Sequence, residues 1–125
     1  MEVIAVPGLP ANNATYSQAV RMGGLIYVSG QLGMAPAAGQ LAEGGIQAQT
    51  RQAIENLRTV LEAAGSGLEC VGKVNLYITD FGLLPEMNAV YAQYFPHRPA
   101  KTTVEVGALD CGALIEIEVV AEPRG

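Results

Sequence analysis

Pro99-Ala100-Lys101-Thr102-Thr103-Val104-Glu105-Val106 places a lone lysine at the mouth of a β-branched strand, directly after a proline turn. Lysine and arginine are the side chains that hold a substrate carboxylate, and only seven occur in these 125 residues. Lysine brings a flexible point charge, whereas arginine brings a planar fork that grips a carboxylate through two hydrogen bonds. Lys101 is therefore a candidate anion binder with loose geometric control, or an edge-strand charge that discourages aggregation. Metal chemistry has no comparable support, because Cys70, Cys111 and the single histidine, His97, lack ligand spacing. The cysteines, inside or beside predicted strands, read as buried free thiols, a disulfide being rare in a reducing compartment.

The charge balance excludes other chemistry. Phosphate backbones require clustered cations. Here Arg21, Arg51, Arg58, Lys73, Arg98, Lys101 and Arg124 are scattered through a chain of net charge −5, so nucleic acid is a poor partner. Mean hydropathy is high at +0.24, yet no apolar run approaches the roughly 18 residues of a membrane span. Met1 to Pro7 lacks the basic and apolar regions of a signal peptide, and the cytoplasm is the expected location. The length predicts one domain over residues 1–125. Half the residues are hydrophobic and 15% are charged, which predicts surface buried between subunits.

The elements that must position any site follow from periodicity. Val3 to Val6 reads as a short strand stopped by Pro7-Gly8-Leu9-Pro10, and Asn12 to Thr15 as a loop. Ala19–Met22 and Leu25–Ser29 flank Gly23-Gly24, a two-residue hairpin signal. Gly30 is read as the end of the second strand, and Gly33 to Gly45 as a loop. Ile46, Ala53, Ile54, Leu57, Val60, Leu61 and Ala64 recur at three and four, the apolar face of a helix of about five turns that Gly65-Ser66-Gly67 ends. Its polar face suggests ion pairs Arg51–Glu55 and Arg58–Glu62. Val71 to Thr79 is a strand. Pro85 starts a second helix, with Leu84, Met87, Val90, Tyr91, Tyr94 and Phe95 on its apolar face. Thr102–Val106 and Leu114–Ala121 complete the order β-β-β-α-β-α-β-β, an α+β domain with two helices on one face of a mixed sheet. Alternation puts Ile115, Ile117 and Val119 under the helices and Glu116, Glu118 and Val120 on the other face.

Tyr16-Ser17-Gln18-Ala19-Val20, Ser29-Gly30-Gln31, Met87-Asn88-Ala89-Val90-Tyr91 and Val104-Glu105-Val106 with Ile115-Glu116-Ile117-Glu118 resemble the RidA/YjgF reactive-intermediate deaminases. Gln49 to Leu57 with Ala63-Ala64-Gly65 resembles their first helix. The resemblance covers nearly the whole chain. It implies a chorismate-mutase-like fold, a barrel-like homotrimer, and sites in the clefts between subunits. The implied reaction hydrolyses a small carboxylate-bearing 2-imine or 2-enamine to a 2-oxo acid and ammonia, with no metal or cofactor. In such proteins an arginine after Pro-Ala holds the carboxylate, while a glutamate of the last strand and a backbone carbonyl position the water.

Carried onto this chain, the glutamate is Glu116, Tyr16 closes the pocket wall, Ser29 and Gly30 line it, and Asn88 approaches from the second helix. The arginine position holds Lys101, and Thr103 stands where a cysteine is frequent. The loop Phe95 to Pro99 is short, and Arg98 in it is a substitute carboxylate clamp or a plain loop cation. Three readings follow. One is imine hydrolysis with altered or weakened specificity. A second uses Lys101 as a base or Schiff-base nucleophile on a specialised amino intermediate of the 2-aminomuconate kind, although a nearby Glu116 is expected to raise the lysine pKa. The third is a trimeric ligand-binding or holdase protein without deamination.

Overall fold

The computed structural model describes residues 1–8 and 15–125. The loop read at Asn12 to Ala14 lies outside them, as do Leu9 and Pro10. In chain order come β1 (Glu2–Ile4), β2 (Ala19–Met22), β3 (Leu25–Leu32), the two-residue strands β4 (Met34–Ala35) and β5 (Gln40–Leu41), and α1 (Gly45–Ala63). Then follow β6 (Val71–Ile78), α2 (Leu84–Tyr94), β7 (Ala100–Glu105) and β8 (Ile115–Ala121). Six strands form one sheet in the order β1-β2-β3-β8-β6-β7, and β4 pairs with β5 apart from it. Among the described residues, only β6 and β7 run parallel, as their connection through α2 requires.

The predicted order holds, with boundary shifts that have local causes. Gly23 and Gly24 both adopt positive φ, 61° and 80°, the left-handed pair that a two-residue hairpin with the correct twist needs. Gly30 does not end β3. The strand continues to Leu32 through a bulge, in which Ser29 and Gly30 occupy the span that Glu118 alone occupies on β8. The segment read as loop from Gly33 contains the β4–β5 hairpin. Helix α1 ends in a Schellman arrangement: Ser66 N–H donates to Leu61 O at 2.8 Å and Gly65 N–H to Glu62 O at 3.1 Å, with Gly65 at φ 78°. The expected four-apart ion pairs do not form. Glu55 instead pairs with Arg58 at 3.4 Å and accepts from the Tyr94 hydroxyl at 2.8 Å.

Both helices pack on one face. Ile26, Val28, Leu76, Ile78, Ile115 and Ile117 from the sheet meet Ile54, Leu57, Leu61 and Met87 from the helices in one core. Every second residue of β8 is buried, from Ile115 to Ala121, as alternation predicts. Three polar side chains that periodicity assigned to neither face are buried in α1: Gln49, Thr50 and Asn56. Gln49 and Asn56 satisfy backbone that the sheet leaves open, and Thr50 bonds within the helix. Asn56 donates to Leu32 O at 3.0 Å and Met34 O at 2.9 Å. Gln49 accepts from Leu114 N–H at 2.9 Å. Thr50 bonds back to Ile46 O. The cysteines are free, but Cys70 is only half-buried and Cys111 is exposed. Cys111 falls in a turn at φ 59° rather than in a strand, so the expectation of buried thiols is corrected.

The approach of α1 to the end of β3 admits no side chain at Gly33, where a Cβ would lie 2.5 Å from Gln49 O and 2.7 Å from Gln49 Cα. Backbone cannot swing aside as a side-chain tip can. Gly33→Ala is therefore expected to lower stability by about 1–3 kcal/mol, read as an earlier urea midpoint at unchanged slope. Gly107→Ala, whose added carbon meets nothing within 4 Å, is expected to leave the midpoint in place.

Candidate functional site

The sequence-predicted residues fall into two groups. Lys101 is the second residue of β7, in register with Val74, and so points to the helix-covered side of the sheet edge. Its ammonium donates to Asn88 Oδ1 at 3.1 Å and sits 4.2 Å from the centroid of the Tyr91 ring, a cation–π contact. No carboxylate among the described residues pairs with it. The side chain as a whole is exposed, but its end rests against α2, and the water lost there lowers its pKa. This corrects the expected upward shift from Glu116.

The surroundings of Lys101 are short of partners. The Tyr91 hydroxyl and Thr103 Oγ1 are buried without a hydrogen bond, and burial pushes the Tyr91 hydroxyl up to about 12. Arg98, exposed and at φ 58°, lines with Lys101 a recess of about 430 Å³ floored by Tyr91 and Phe95. Two cations thus rim one apolar recess. Tyr91 was legible only as a core position. The signal for its second role is its spacing of three from Asn88, which puts both on the helix face that meets Lys101.

The second group gathers on β3 and β8. Glu116 is in register with Tyr77 of β6 and Leu32 of β3, on the face the helices leave bare. Its carboxyl lies over Gly30, where an added Cβ would come 2.7 Å from Glu116 Cδ. Gly30 thus makes the room in which Glu116 lies. Burial raises the Glu116 pKa first, and the charges of Glu118 and Asp110 add to it. Ser29 acts on backbone: its hydroxyl donates to Ser17 O at 2.5 Å and its N–H to Gln18 O at 2.9 Å. These bonds tie down the segment that carries Tyr16. Tyr16 and Gly30 line a recess of about 190 Å³ beside Met34 and Asn56. Next to Glu116, Glu118 accepts from the Tyr77 hydroxyl and from Asn75 Nδ2 at 3.3 Å, a network the sequence reading did not single out.

Within one chain the two groups do not meet. Lys101 is level with Val74 and through it with Val119, three residues along from Glu116 and two strands away. That separates the backbones by roughly 14 Å, and the two side chains leave opposite faces.

The profile of the family described as Endoribonuclease L-PSP matches residues 8–123. A RutC family protein of Pyrococcus horikoshii is 42% identical over 121 residues, covering 96% of each chain. The chain belongs to the RidA/YjgF family. Another member, the 2-iminobutanoate/2-iminopropanoate deaminase of Bos taurus, is 40% identical over 96% of this chain and 88% of its own. Among solved RidA structures, that of RidA from the Antarctic bacterium Psychrobacter superposes with a TM-score of 0.90 at 38% identity, over 98% of this chain and 99% of that one. The chorismate-mutase-like reading of this RidA chain agrees with the mixed sheet and its two helices.

The seat of Glu116 is testable apart from any reaction. Gly30→Ala forces the carboxyl, the far end of a flexible side chain, out toward water. Burial being the first cause of its raised pKa, the Glu116 carboxyl carbon is expected to titrate at lower pH by NMR, with thermal stability nearly unchanged. An unmoved midpoint would show that Gly30 does not set the environment of Glu116.

Proposed function

We propose that this protein hydrolyses a small 2-imino or 2-enamino carboxylate to the 2-oxo acid and ammonia, in sites shared between copies of the chain in a homotrimer. The observation that carries the reading is the Glu116 carboxyl, raised in pKa and held over Gly30 with no cation paired to it among the described residues. A carboxyl so raised takes up a proton more readily than a free one, and taking a proton from water is what imine hydrolysis asks of it. Relatives named as 2-iminobutanoate/2-iminopropanoate deaminases support the reaction class.

Water adds through oxygen to the C=N carbon and gives up a proton to Glu116. The protonated Glu116 returns that proton to the amine nitrogen. The remaining water proton, on the carbinolamine hydroxyl, then passes to the nitrogen by way of solvent as the C=O forms and the C–N bond breaks, and ammonia leaves. Lys101 attracts the carboxylate as a point charge, with less control of its orientation than a guanidinium fork would give. Its opposite facing from Glu116 supports a site completed by a neighbouring copy, in which Lys101 of one chain meets Glu116 of the next.

A second reading keeps Lys101 as a Schiff-base nucleophile. It is favoured by the lowered pKa and by the absence of an acidic partner among the described residues. Borohydride reduction with a 2-oxo acid separates the two, since a stable mass adduct that is lost in Lys101→Arg supports the covalent route.

With 2-iminopropanoate generated in situ, Glu116→Gln is expected to slow catalysed imine loss by about 10²–10⁴-fold. Lys101→Ala is expected to raise KM, and Lys101→Arg to keep or improve kcat/KM. No acceleration by the parent protein, with activity gained in Lys101→Arg, rules out these imines as its native substrate. Light scattering at micromolar concentration is expected to give a trimer mass, and a monomer mass contradicts the shared site.

A further inference from the structure

The bare face of the sheet carries a second carboxyl beside the one invoked above. Glu118 lies two residues from Glu116 on the same face of β8, about 7 Å away along the strand. It is not a loose surface charge. Its Oε1 accepts from the Tyr77 hydroxyl and from Asn75 Nδ2, and both donors rise from β6, the strand next to β8. Burial and the Glu118 hydrogen bond raise Tyr77 to about 12, the bond being the larger cause, so Tyr77 keeps its proton through the neutral range and remains a donor. On the other side, Glu118 faces the β3 bulge formed by Ser29 and Gly30, the same bulge that seats Glu116.

We propose that Glu118 is a positioning residue for Glu116: clamped by Tyr77 and Asn75, it is a fixed negative charge through which the sheet governs proton exchange at Glu116. A like charge held close disfavours a second ionised carboxylate. A clamped charge does so constantly, whereas a free side chain would swing into water and weaken the effect. Within one chain, among the described residues, the groups facing Glu116 are few, and in the shared site proposed above Lys101 of the neighbouring copy joins them. Glu118 is on its own strand, Asp110 in the turn before it, and Tyr77 on β6. From β3 it meets Gly30, with Leu32 in register, and neither titrates. Of the two charges that raise its pKa, Glu118 is the larger cause and the one held by hydrogen bonds to another strand.

The chemical consequence follows the proposed reaction and rests on that reading. Glu116 takes a proton from water and returns it to the departing nitrogen, so it must change protonation state twice in each cycle. A neighbouring fixed charge raises the proton affinity of Glu116, which favours the first transfer, uptake of a proton from the attacking water. Glu118 touches no reacting atom in this account.

The test reads Glu116 directly and needs no turnover. Protein labelled with carbon-13 at glutamate carboxyls is titrated by NMR, the Glu116 signal being assigned by its loss in Glu116→Gln. In Glu118→Gln, an isosteric change that keeps an acceptor for Tyr77, the Glu116 midpoint is expected to move to lower pH. In Tyr77→Phe, which leaves the Glu118 carboxylate but unclamps it, a smaller shift in the same direction is expected. A Glu116 midpoint unchanged in Glu118→Gln overturns the inference, and a shift in that variant with none in Tyr77→Phe overturns the role of the clamp. If the midpoints move as stated but the parent does not hydrolyse imines, the proposed reaction fails alone. If imines are hydrolysed and the acid limb of kcat stays fixed in Glu118→Gln, the inference fails alone.

Discussion

Side chains alternate across a strand, and two helices cover only one face of a six-stranded sheet. Most of this molecule follows from that constraint. The covered face is a dry core, closed by α1 and α2 over Ile26, Leu76, Ile78, Ile115 and Ile117. The bare face is left with Glu116, Glu118, Asn75 and Tyr77, which must satisfy one another, meet water or meet another chain. Lys101 and Glu116 depart from opposite faces because they sit on positions of opposite parity relative to the strand between them. The division of the candidate site is therefore a property of the pleat.

Polar side chains at the ends of strands hold the divided site in shape. Gln49 and Asn56 reach from α1 to the backbone of Leu114, Leu32 and Met34, fixing where β8 begins and β3 ends. Between those anchors, β3 takes up one extra residue as a bulge at Ser29 and Gly30. The bulge makes room for the Glu116 carboxyl, and Ser29 uses it to tie down the segment bearing Tyr16. At the other edge, Tyr91 and Asn88 hold the Lys101 ammonium against α2. Each candidate group is thus placed by neighbours with no part in the proposed chemistry.

Much of this was legible in the sequence, for physical reasons that also mark its limits. The 3.6-residue period in α1 and the strict alternation in β8 reported burial directly, and Gly23-Gly24 and Gly65 reported backbone that must turn left-handed. The bulge was not legible, because Ser-Gly after an apolar run reads equally as a strand end. Nor were Gln49 and Asn56, since a polar residue on a helix gives no sign that its partner is a strand end far along the chain. At the site, the types and rough locations of Lys101, Glu116, Asn88 and Gly30 could be named, and Asn88 does meet Lys101. That Glu116 would be held away from Lys101 was not foreseen, because spacing along the chain carries no information on which face of a sheet two distant strands present. The pKa directions inherit that gap: Lys101 is lowered by lost water, where a neighbouring carboxylate had been expected to raise it.

The central claim is that Lys101 and Glu116 act together only across two copies of the chain. Differently tagged Glu116→Gln and Lys101→Ala chains, refolded together in equal amounts and purified through both tags, test it directly. Each variant alone is expected to be nearly inactive at substrate concentrations well below the raised KM of Lys101→Ala. In every mixed trimer, one of the three shared sites pairs an intact Lys101 with an intact Glu116, so imine hydrolysis is expected to return to roughly a third of the parent rate. Mixed assemblies that form but recover no activity would contradict the shared site, because a site built within one chain can never regain both residues.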